Sequence, residues 1–381
     1  MQSDKNFIFK AIWVLLTIMI EQIGIYNYKS IRDALVPLKK INILIGENGA
    51  GKSNFISFFE MIKAIYDKRL GIYMLSNGGI DSQLYRGRKC SKAINGLIDY
   101  NNTNAFFFKL SPGIGDKAFI EETGDYFNTK GLNSKEYVLW NKTYWDRAAE
   151  ESNISEFGDY RANYIRHLLG SFIVYHFHDT SKTSSMRQPC QIGDNITLRH
   201  DASNLPAVLY RLHQTDISAY RLIEAMVRSV APYFKRFKLA PMITDPSRIR
   251  LEWEEQDSDM YLDATSFSDG TLRFIALATL LLQTKLPETI IIDEPELGLH
   301  PAAMVKLSAM IKKASAKAQI IIATQSVSLI SNFSIDDLIV VGRAENQSTF
   351  HRLNQENFIH WLDNYSVGEL WEKNIIGGRP Q

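Results

Sequence analysis

The sequence predicts an α/β fold built on a parallel sheet, and two regions that lie far apart along the chain support this. Residues 41–45 form a short apolar strand pattern, and after a glycine-rich turn residues 53–66 place Phe55, Phe58 and Phe59 on one helical face. Near the other end, three consecutive isoleucines at 290–292 follow a threonine. A β-branched run without polar alternation is typical of a strand that is buried on both faces of a parallel sheet.

Composition places the chain among ordinary globular proteins. It has 381 residues, 45% of them hydrophobic, which is enough for two or three lobes with a substantial core. Its 43 basic residues are balanced by 42 acidic ones, so the protein is not a strongly basic nucleic-acid coat. The only cysteines, Cys90 and Cys190, exclude a disulfide framework and favour a reducing, cytoplasmic location.

The N-terminal region carries an apolar run at 11–20. Ten residues are too few to span a bilayer, which takes about 20, so no membrane attachment is expected. We interpret residues 1–18 as an N-terminal extension that precedes a natural start at Met19.

Further elements follow in order along the chain. We expect strands at 22–28, 172–177, 319–323 and 338–341, an antiparallel meander at 92–127, helical structure at 203–237, and a helix at 274–282. Residues 128–168 show little periodicity, and 182–203 have the composition of a loop.

The glycine-rich segment that follows the strand pattern at 41–45 matches the pattern G-x-x-x-x-G-K-S. Glycines let the backbone fold around an anion with its N–H groups inward, and the following helix directs its positive end to the same place. In such a loop Lys52 reaches the β- and γ-phosphates of a nucleotide, and the Ser53 hydroxyl holds Mg²⁺. The sequence therefore predicts an ATP and Mg²⁺ site formed by Gly46, Glu47, Asn48, Gly49, Ala50, Gly51, Lys52, Ser53 and Asn54.

Two carboxylates, Asp293 and Glu294, end the isoleucine strand. Ligands of parallel α/β sheets bind at the carboxyl ends of the strands. Asp293 is suited to the Mg²⁺ shell and Glu294 to polarising the attacking water. A solvated acidic turn is the alternative, and the glycine-rich loop elsewhere in the chain disfavours it.

A second candidate phosphate-binding end opens the helix at 274–282, where Ser268 and Gly270 precede the apolar run. Serine, a glycine that permits close backbone approach, and a helix N-terminus together favour an anion. An ordinary serine N-cap explains the same residues equally well.

Together these motifs resemble the ABC-type ATPase heads of the RecF/SMC group and of the OLD (overcoming lysogenization defect) proteins. The matching segments are the glycine-rich loop, 25–31 (IYNYKSI), 177–180 (FHDT), 268–271 (SDGT), 291–295 (IIDEP) and 296–301 (ELGLHP). The resemblance implies a P-loop NTPase head with a mixed sheet, an antiparallel meander and a short helical lobe. It further implies that ATP joins two heads, with Ser268 and Gly270 on the γ-phosphate bound to the other subunit and 297–301 crossing the interface.

One position departs from the pattern of that family, and the identity of one further functional residue is left open. Where a switch histidine often follows a threonine, this chain has Gln325, which cannot accept a proton as imidazole does, so a slower or more regulated catalytic role is expected for it. The residue that senses γ-phosphate has four candidates: Gln83, His178, Asp179 and Gln188. The His178–Asp179 end of its strand is ranked first, which makes Asp179 a candidate metal ligand beside Ser53 and Asp293.

The spacing of the motifs predicts the domain organisation. We expect an extension at 1–18, ATPase lobe I with the glycine-rich loop at 19–127, an inserted meander and helical arm at 128–250, and ATPase lobe II at 251–381. No sustained heptads separate Ser53 from Ser268, so the long arm of SMC proteins is not expected. Too few residues follow Gln325 for the Toprim nuclease domain of OLD proteins.

The family therefore implies a stand-alone ATPase, a homodimer or higher oligomer, that controls a separate effector, most simply a nuclease in bacterial anti-phage defence. A RecF-like DNA-repair ATPase and a nucleotide-gated scaffold with very slow turnover are the alternatives. DNA is a candidate partner through basic runs at 86–92 and 228–238, although solvated helix faces explain such runs as well.

Overall fold

A computed structural model describes residues 19–100, 104–127, 141–156, 160–258 and 260–378, and the predicted extension at 1–18 lies outside these ranges. Seventeen strands are present in them: β1 Ile20–Tyr28, β2 Ile31–Pro37, β3 Ile41–Ile45, β4 Ile94–Tyr100, β5 Asn104–Pro112, β6 Ala118–Phe127, β7 Asn141–Ala149, β8 Phe172–Tyr175, β9 Cys190–Gln191, β10 Phe234–Lys238, β11 Arg248–Ile249, β12 Glu252–Glu255, β13 Tyr261–Asp263, β14 Thr289–Asp293, β15 Gln319–Thr324, β16 Leu338–Ala344 and β17 Gln347–Arg352.

The α-helices of the described ranges are α1 Lys52–Tyr66, α2 Leu70–Ser76, α3 Gly79–Gln83, α4 Tyr160–Ser171, α5 Leu205–Thr215, α6 Ile217–Val230, α7 Asp269–Leu282, α8 Pro301–Ala314, α9 Val327–Ile330, α10 Ile359–Leu362 and α11 Val367–Glu372. Short 3₁₀ helices occur at Ile114–Asp116, Ser185–Arg187, Ala264–Ser266, Ile335–Asp337 and Gln355–Phe358. Among the described residues, none of these helices is long and apolar enough to cross a membrane.

The first large sheet is antiparallel, with strand order β2-β1-β4-β5-β6-β7. The predicted meander at 92–127 is confirmed, because β4 pairs with β5 and β5 with β6 in antiparallel register. The sequence pattern missed β2 and β7, which extend the meander on its two sides. Both strands mix charged and apolar residues, so neither shows a strong alternation.

The second large sheet is mixed, with order β17-β16-β3-β15-β14-β8. Its strands are parallel except for β17, which forms a hairpin with β16. The parallel register places Thr324 opposite Ile45 and Asp293 opposite Ala323, so the carboxyl ends of β3, β15 and β14 meet at one edge. That edge is where the glycine-rich loop and the two predicted carboxylates emerge.

Residues 203–237 do not form continuous helical structure, and this prediction is wrong at two points. Asp216 ends α5 and caps α6, accepting a hydrogen bond from the Ala219 N–H. Residues 234–238 form β10, which pairs with β12, because Phe234 and Phe237 are buried there while Arg236 faces outward. Local turn chemistry and a tertiary pairing thus override the helical spacing.

The described strands of 128–250, where the sequence predicts an inserted arm, belong to several sheets. β7 extends the antiparallel sheet, β8 lies beside β14 in the mixed sheet, and β9, β10 and β11 belong to two small sheets. Helices α5 and α6 pack against α7. The described part of this segment therefore contributes to both main sheets.

Gln319 joins the two sheets at the start of β15. Its buried side chain donates to the carbonyls of Ile20 (2.8 Å) and Lys39 (2.9 Å) and accepts from the Ile20 N–H (3.0 Å). These main-chain groups lie at the start of β1 and just after β2, which are both strands of the first sheet. One amide therefore fixes the antiparallel sheet against the strand next to the glycine-rich loop.

We predict that Gln319→Leu lowers the free energy of unfolding by about 2 to 4 kcal/mol, because three main-chain groups lose their partner where water cannot replace it. Urea denaturation measures this. Gln188→Leu is the control, since Gln188 is exposed. Equal stability of the two variants would contradict the proposed joint.

Candidate nucleotide-binding site

The glycine-rich loop connects β3 to α1 through two residues in the left-handed region. Gly49 has φ of 77° and Gly51 has φ of 120°. A Cβ added at Gly51 would overlap Ser348 Oγ, whereas one at Gly49 would meet open space. Gly51 is therefore required by packing behind the loop, and Gly49 leaves the front of the loop open to a ligand.

The first turn of α1 is free to bind an anion. Within the described residues no side chain caps it, and it contains no acidic residue. Ser53 is exposed there, while Glu47 is half-buried and Asn48 is exposed on the loop. Uncapped N–H groups and the positive end of the helix dipole favour phosphate at this position.

Lys52 is buried within the loop, and only 6% of the residue is exposed. Its ammonium donates to the carbonyls of Gly46 (2.7 Å) and Glu47 (2.9 Å). Burial lowers the pKa of Lys52, and the carboxylates of Glu294 and Asp293 partly offset this. The cation thus lies in the field of both predicted carboxylates and is held by neutral carbonyls that a phosphate group can replace.

A chain of hydroxyl groups supports the loop from behind. The buried Ser348 donates to the Ala50 carbonyl (2.6 Å) and shares a hydrogen bond with Ser30 (2.6 Å). Asn54, which the sequence assigned to the nucleotide, donates to Ser30 (2.7 Å). Ser30 lies in the family-like segment 25–31, but Ser348 has no sequence signal because it reaches the loop only through β17.

Asp293 and Glu294 lie where the prediction put them, at the carboxyl end of β14. Burial raises the pKa of Asp293, as does the charge of Glu294, while His176, His178 and Lys52 lower it. Glu294 has φ of 44° and its N–H donates to the Ala323 carbonyl (2.9 Å). A non-glycine residue in this region carries backbone strain of a kind that clusters at functional sites.

Gln325 is brought to the same place by β15. Its side-chain amide donates to Glu294 Oε1 (3.2 Å). Its N–H and the Thr324 hydroxyl both donate to Glu296, whose pKa burial raises. Glu296, for which no role is predicted above, therefore fixes the turn that aims Gln325 at Glu294.

Ser268 caps α7, as the simpler interpretation of the sequence predicts. Its hydroxyl accepts from the Thr271 N–H (3.2 Å) and lies 2.8 Å from the Thr271 hydroxyl, and the residue is exposed. A Cβ on Gly270 would overlap the Gly298 carbonyl. Glycine at 270 is therefore needed for contact with the loop that follows Glu296 in the same chain.

Arg273, also missed by the sequence motifs, links three segments near the site. The residue is only 4% exposed, and its guanidinium donates to the carbonyls of Phe177 (2.7 Å), His178 (3.0 Å) and Leu297. Burial lowers the pKa of Arg273. The α7 helix, the end of β8 and the loop after Glu296 are thus held by one cation.

Of the four candidates for the phosphate sensor, the structure brings His178 to the acidic end of β14, where its Nε2 donates to the Asp293 carbonyl (2.9 Å). Asp179 next to it is exposed and accepts from the Ser181 N–H (3.0 Å), and hydrogen bonds from Ser181 lower its pKa. Gln83 is buried, and its amide nitrogen donates to the Asn77 carbonyl (2.7 Å) and to the Ser82 hydroxyl (3.2 Å). Gln188 is exposed beyond a 3₁₀ helix.

His176, two residues before His178, links β8 to α1. Its Nε2 lies 2.5 Å from Glu60 Oε1, and its ring centroid is 5.8 Å from that of His178. The hydrogen bond with Glu60 raises the pKa of His176 despite its partial burial. The helix that carries the glycine-rich loop is thereby attached to the strand beside β14.

Each of the two basic runs contains residues that form ion pairs. Arg88 pairs with Asp81 (2.5 Å) and Asp116 (2.9 Å). In the second run, Arg236 lies 2.8 Å from Glu254 and Lys235 lies 3.7 Å from the same carboxylate. These pairs reduce the positive charge that either run offers to nucleic acid, and DNA binding stays a prediction.

Comparisons with known proteins agree with this geometry. A family model described as "AAA domain, putative AbiEii toxin, Type IV TA system" matches residues 41–331. No curated protein sequence matches the chain significantly.

Solved structures share the fold at low sequence identity. A SmcHead bound to the C-winged helix domain of ScpA is 16% identical, with a TM-score of 0.60 over 90% of this chain and 99% of that chain. A Pyrococcus yayanosii Smc head with a coiled coil and joint is 12% identical, with a TM-score of 0.56 over 91% and 99%. A Pyrococcus furiosus Smc head bound to the C-terminal domain of ScpA is 15% identical, with a TM-score of 0.53 over 91% and 99%. The predicted fold class, an α/β P-loop NTPase with an ABC-type head, is confirmed.

We predict a pH-dependent contribution of His176 to stability. Its pKa in the folded state is raised above the ordinary value of about 6.5, so protonation stabilises the fold below that value and the stabilisation disappears as pH rises through the folded pKa. The Tm deficit of His176→Gln should be largest below pH 6 and smallest near pH 8.5. His360→Gln, at an exposed site, is the control. A Tm deficit of His176→Gln that is the same at both pH values would argue against the pair with Glu60.

Proposed function

The chain belongs to this AAA domain family and is an ABC-type ATPase of the RecF/SMC group, and on that basis we propose that it binds and hydrolyses ATP with Mg²⁺, dimerises on ATP and controls a separate effector. The observation that carries the proposal is the placement of Lys52 in the field of Asp293 and Glu294 at the open front of the glycine-rich loop. A buried cation, a carboxylate whose residue has a strained backbone, and an uncapped helix end meet there. Each of these is costly without a ligand to use it.

The residues present fit a magnesium ion and a triphosphate. Ser53 is exposed at the start of α1, and the pKa of the half-buried Asp293 carboxyl is raised by desolvation and by Glu294 even though Lys52 and the two histidines lower it. Ser53 and Asp293 would hold the ion, with Asp179 as a further candidate from the adjacent loop. The ion supplies positive charge to the phosphates, while Lys52 and the α1 N–H groups bind them and Glu294 orients and activates the attacking water.

Dimerisation is supported by the exposure of the α7 N-terminus. Ser268 is exposed, and Leu297, in the loop that contacts Gly270, is 46% exposed. We propose that Ser268 and Gly270 contact the γ-phosphate bound to a second copy, and that the Leu297 loop lies at the interface of a homodimer or higher oligomer. The head fold shared with Smc proteins supports this arrangement.

We further propose that the effector is a separate nuclease and that the system acts in bacterial anti-phage defence. The family description names a toxin of a toxin–antitoxin system, which supports a role in which ATP state controls a damaging activity. Smc heads solved with domains of ScpA show that heads of this fold bind other proteins. The OLD-like branch and DNA contact remain predictions within this proposal.

A nucleotide-gated scaffold with very slow turnover is a second candidate, favoured by one contact. The Gln325 amide donates to the carboxylate assigned to activate water. The amide thus competes with the attacking water for that carboxylate. In this alternative ATP binding drives the function and hydrolysis only resets it.

We predict that Lys52→Ala abolishes ATP binding, because the substitution removes the ammonium that offsets the charge of the triphosphate inside the loop. Isothermal titration measures this with Mg²⁺ and a non-hydrolysable ATP analogue. Lys63→Ala, further along the same helix, is the control, because Lys63 pairs with Asp67 on the surface (3.4 Å). Unchanged affinity of Lys52→Ala would remove the assignment of the site.

We predict that Glu294→Gln lowers ATP hydrolysis by about 10²-fold or more while binding persists, because the amide keeps the shape of the side chain but not its basicity. Phosphate release measures this, with Glu356→Gln at an exposed site as the control. If the wild type already turns over as slowly as Glu294→Gln, the scaffold alternative holds.

The same variant tests the composite site. Trapped ATP should enlarge the species seen by light scattering, and Ser268→Arg added to Glu294→Gln should reverse the growth by placing bulk and charge in the shared site. Growth that survives Ser268→Arg would reject the role of Ser268 across the interface.

A further inference from the structure

A cavity of about 570 Å³ lies between the second half of α1, α2, β8 and the segment 197–200. Its walls are mostly apolar and include Ala64, Ile72, Phe172 and Val174. Its size falls within the range of pockets that hold ligands, and none of the residues assigned above to ATP lines it. It is therefore a separate feature of the surface.

β8 forms one wall of this cavity and lies at the end of the mixed sheet. The His176 N–H, just past the strand, donates to the His200 carbonyl (2.9 Å), so the main chain at 176 points away from β14. Main-chain groups alternate in direction along a strand, so those of Val174 point the same way. The β8 edge beside the cavity thus presents main-chain groups that a further strand can pair with.

One positive charge on the rim has no compensation. In the part of the chain that the structure describes, the exposed Arg69 guanidinium makes no ion pair. The other strongly charged lining groups have partners: Lys63 with Asp67 at 3.4 Å, Glu60 with His176 at 2.5 Å, and Arg199 with Asp194 at 2.6 Å. The cavity is therefore complementary to an apolar ligand that carries negative charge.

Exposed apolar side chains occur on the elements that form the cavity and beside them. Ile72, which lines it, is 60% exposed, Leu75 on the same helix is 85% exposed, and Ile196, next to the segment that lines the cavity, is 79% exposed. Exposed apolar side chains near an apolar cavity are typical of a surface that binds protein. The wall opposite β8 belongs to α1, the helix that carries Lys52.

We propose that the β8 edge and its cavity bind an extended apolar segment with an acidic side chain, which belongs to the effector and adds a strand to the mixed sheet. Main-chain pairing with β8 supplies affinity, the apolar walls take alternate side chains, and Arg69 pairs with the acidic group. Because β8 adjoins β14, the added strand extends the sheet that carries Asp293. The inference rests on the proposed function only for the identity of the partner.

The test uses the full chain without nucleotide and a displayed library of random nine-residue peptides. Enriched peptides should alternate apolar residues and contain Asp or Glu. Measured by fluorescence anisotropy, their affinity should fall about tenfold or more with Arg69→Gln and with Ile72→Asp. Arg86→Gln and Ile114→Asp are the matched controls at exposed sites on the first lobe, and they should leave affinity unchanged.

Two measurements locate the peptide. Methylating one main-chain nitrogen of the peptide should weaken binding at alternate positions only, and the Val174 amide should exchange its hydrogen more slowly in the complex. The proposal is overturned if no peptide is enriched, if both cavity variants bind as well as wild type, or if protection appears away from 172–176. ATP turnover of the same preparation is measured separately, so loss of peptide binding and loss of ATPase activity are distinguished.

Discussion

The parallel pairing of β3, β15 and β14 is the constraint on which the rest of the site depends. It places Ile45, Thr324 and Asp293 at one edge of the sheet, so three segments that are distant in sequence deliver the glycine-rich loop, Gln325 and the two carboxylates to one place. A shift of register by one residue would reverse the direction of each side chain. The isoleucine runs on β14 and β15, buried on both faces, resist such a shift, and Gln319 fixes the start of β15 to the first sheet.

Burial then sets the chemistry at this edge. It lowers the pKa of Lys52 and raises that of Asp293, so without a ligand both groups are driven toward their neutral forms. A magnesium ion and a phosphate chain supply the missing charges of both signs. The strained backbone at Glu294 and the uncapped start of α1 also favour a bound nucleotide, because each costs free energy that the rest of the fold has to offset. The energetic cost of these four features is thus the physical argument for nucleotide.

The sequence predicted those parts that are local in the chain. The loop, α1, β14 and the cap at Ser268 follow from turn chemistry and from spacing over a few residues. Parts that depend on distant contacts could not be predicted: Ser348 reaches Ala50 across 298 positions, and Arg273 reaches Phe177 across 96. The break at Asp216 and the strand β10 fell within a pattern that was helical by spacing, and β7 lacked alternation altogether.

Arg273 also explains how the two ends of the site can respond to one another. Its guanidinium binds carbonyls of Phe177, His178 and Leu297, and the His178 ring in turn donates to the Asp293 carbonyl. Gly270, on the same helix, permits contact with Gly298. A displacement of α7 therefore cannot leave the loop after Glu296 and the end of β8 in place without breaking buried hydrogen bonds to a charged group, which are among the stronger ones in proteins. Because Glu296 also holds the turn of Gln325, whose amide donates to Glu294, the Glu294 carboxylate and the exposed Ser268 at the start of α7 belong to one connected unit.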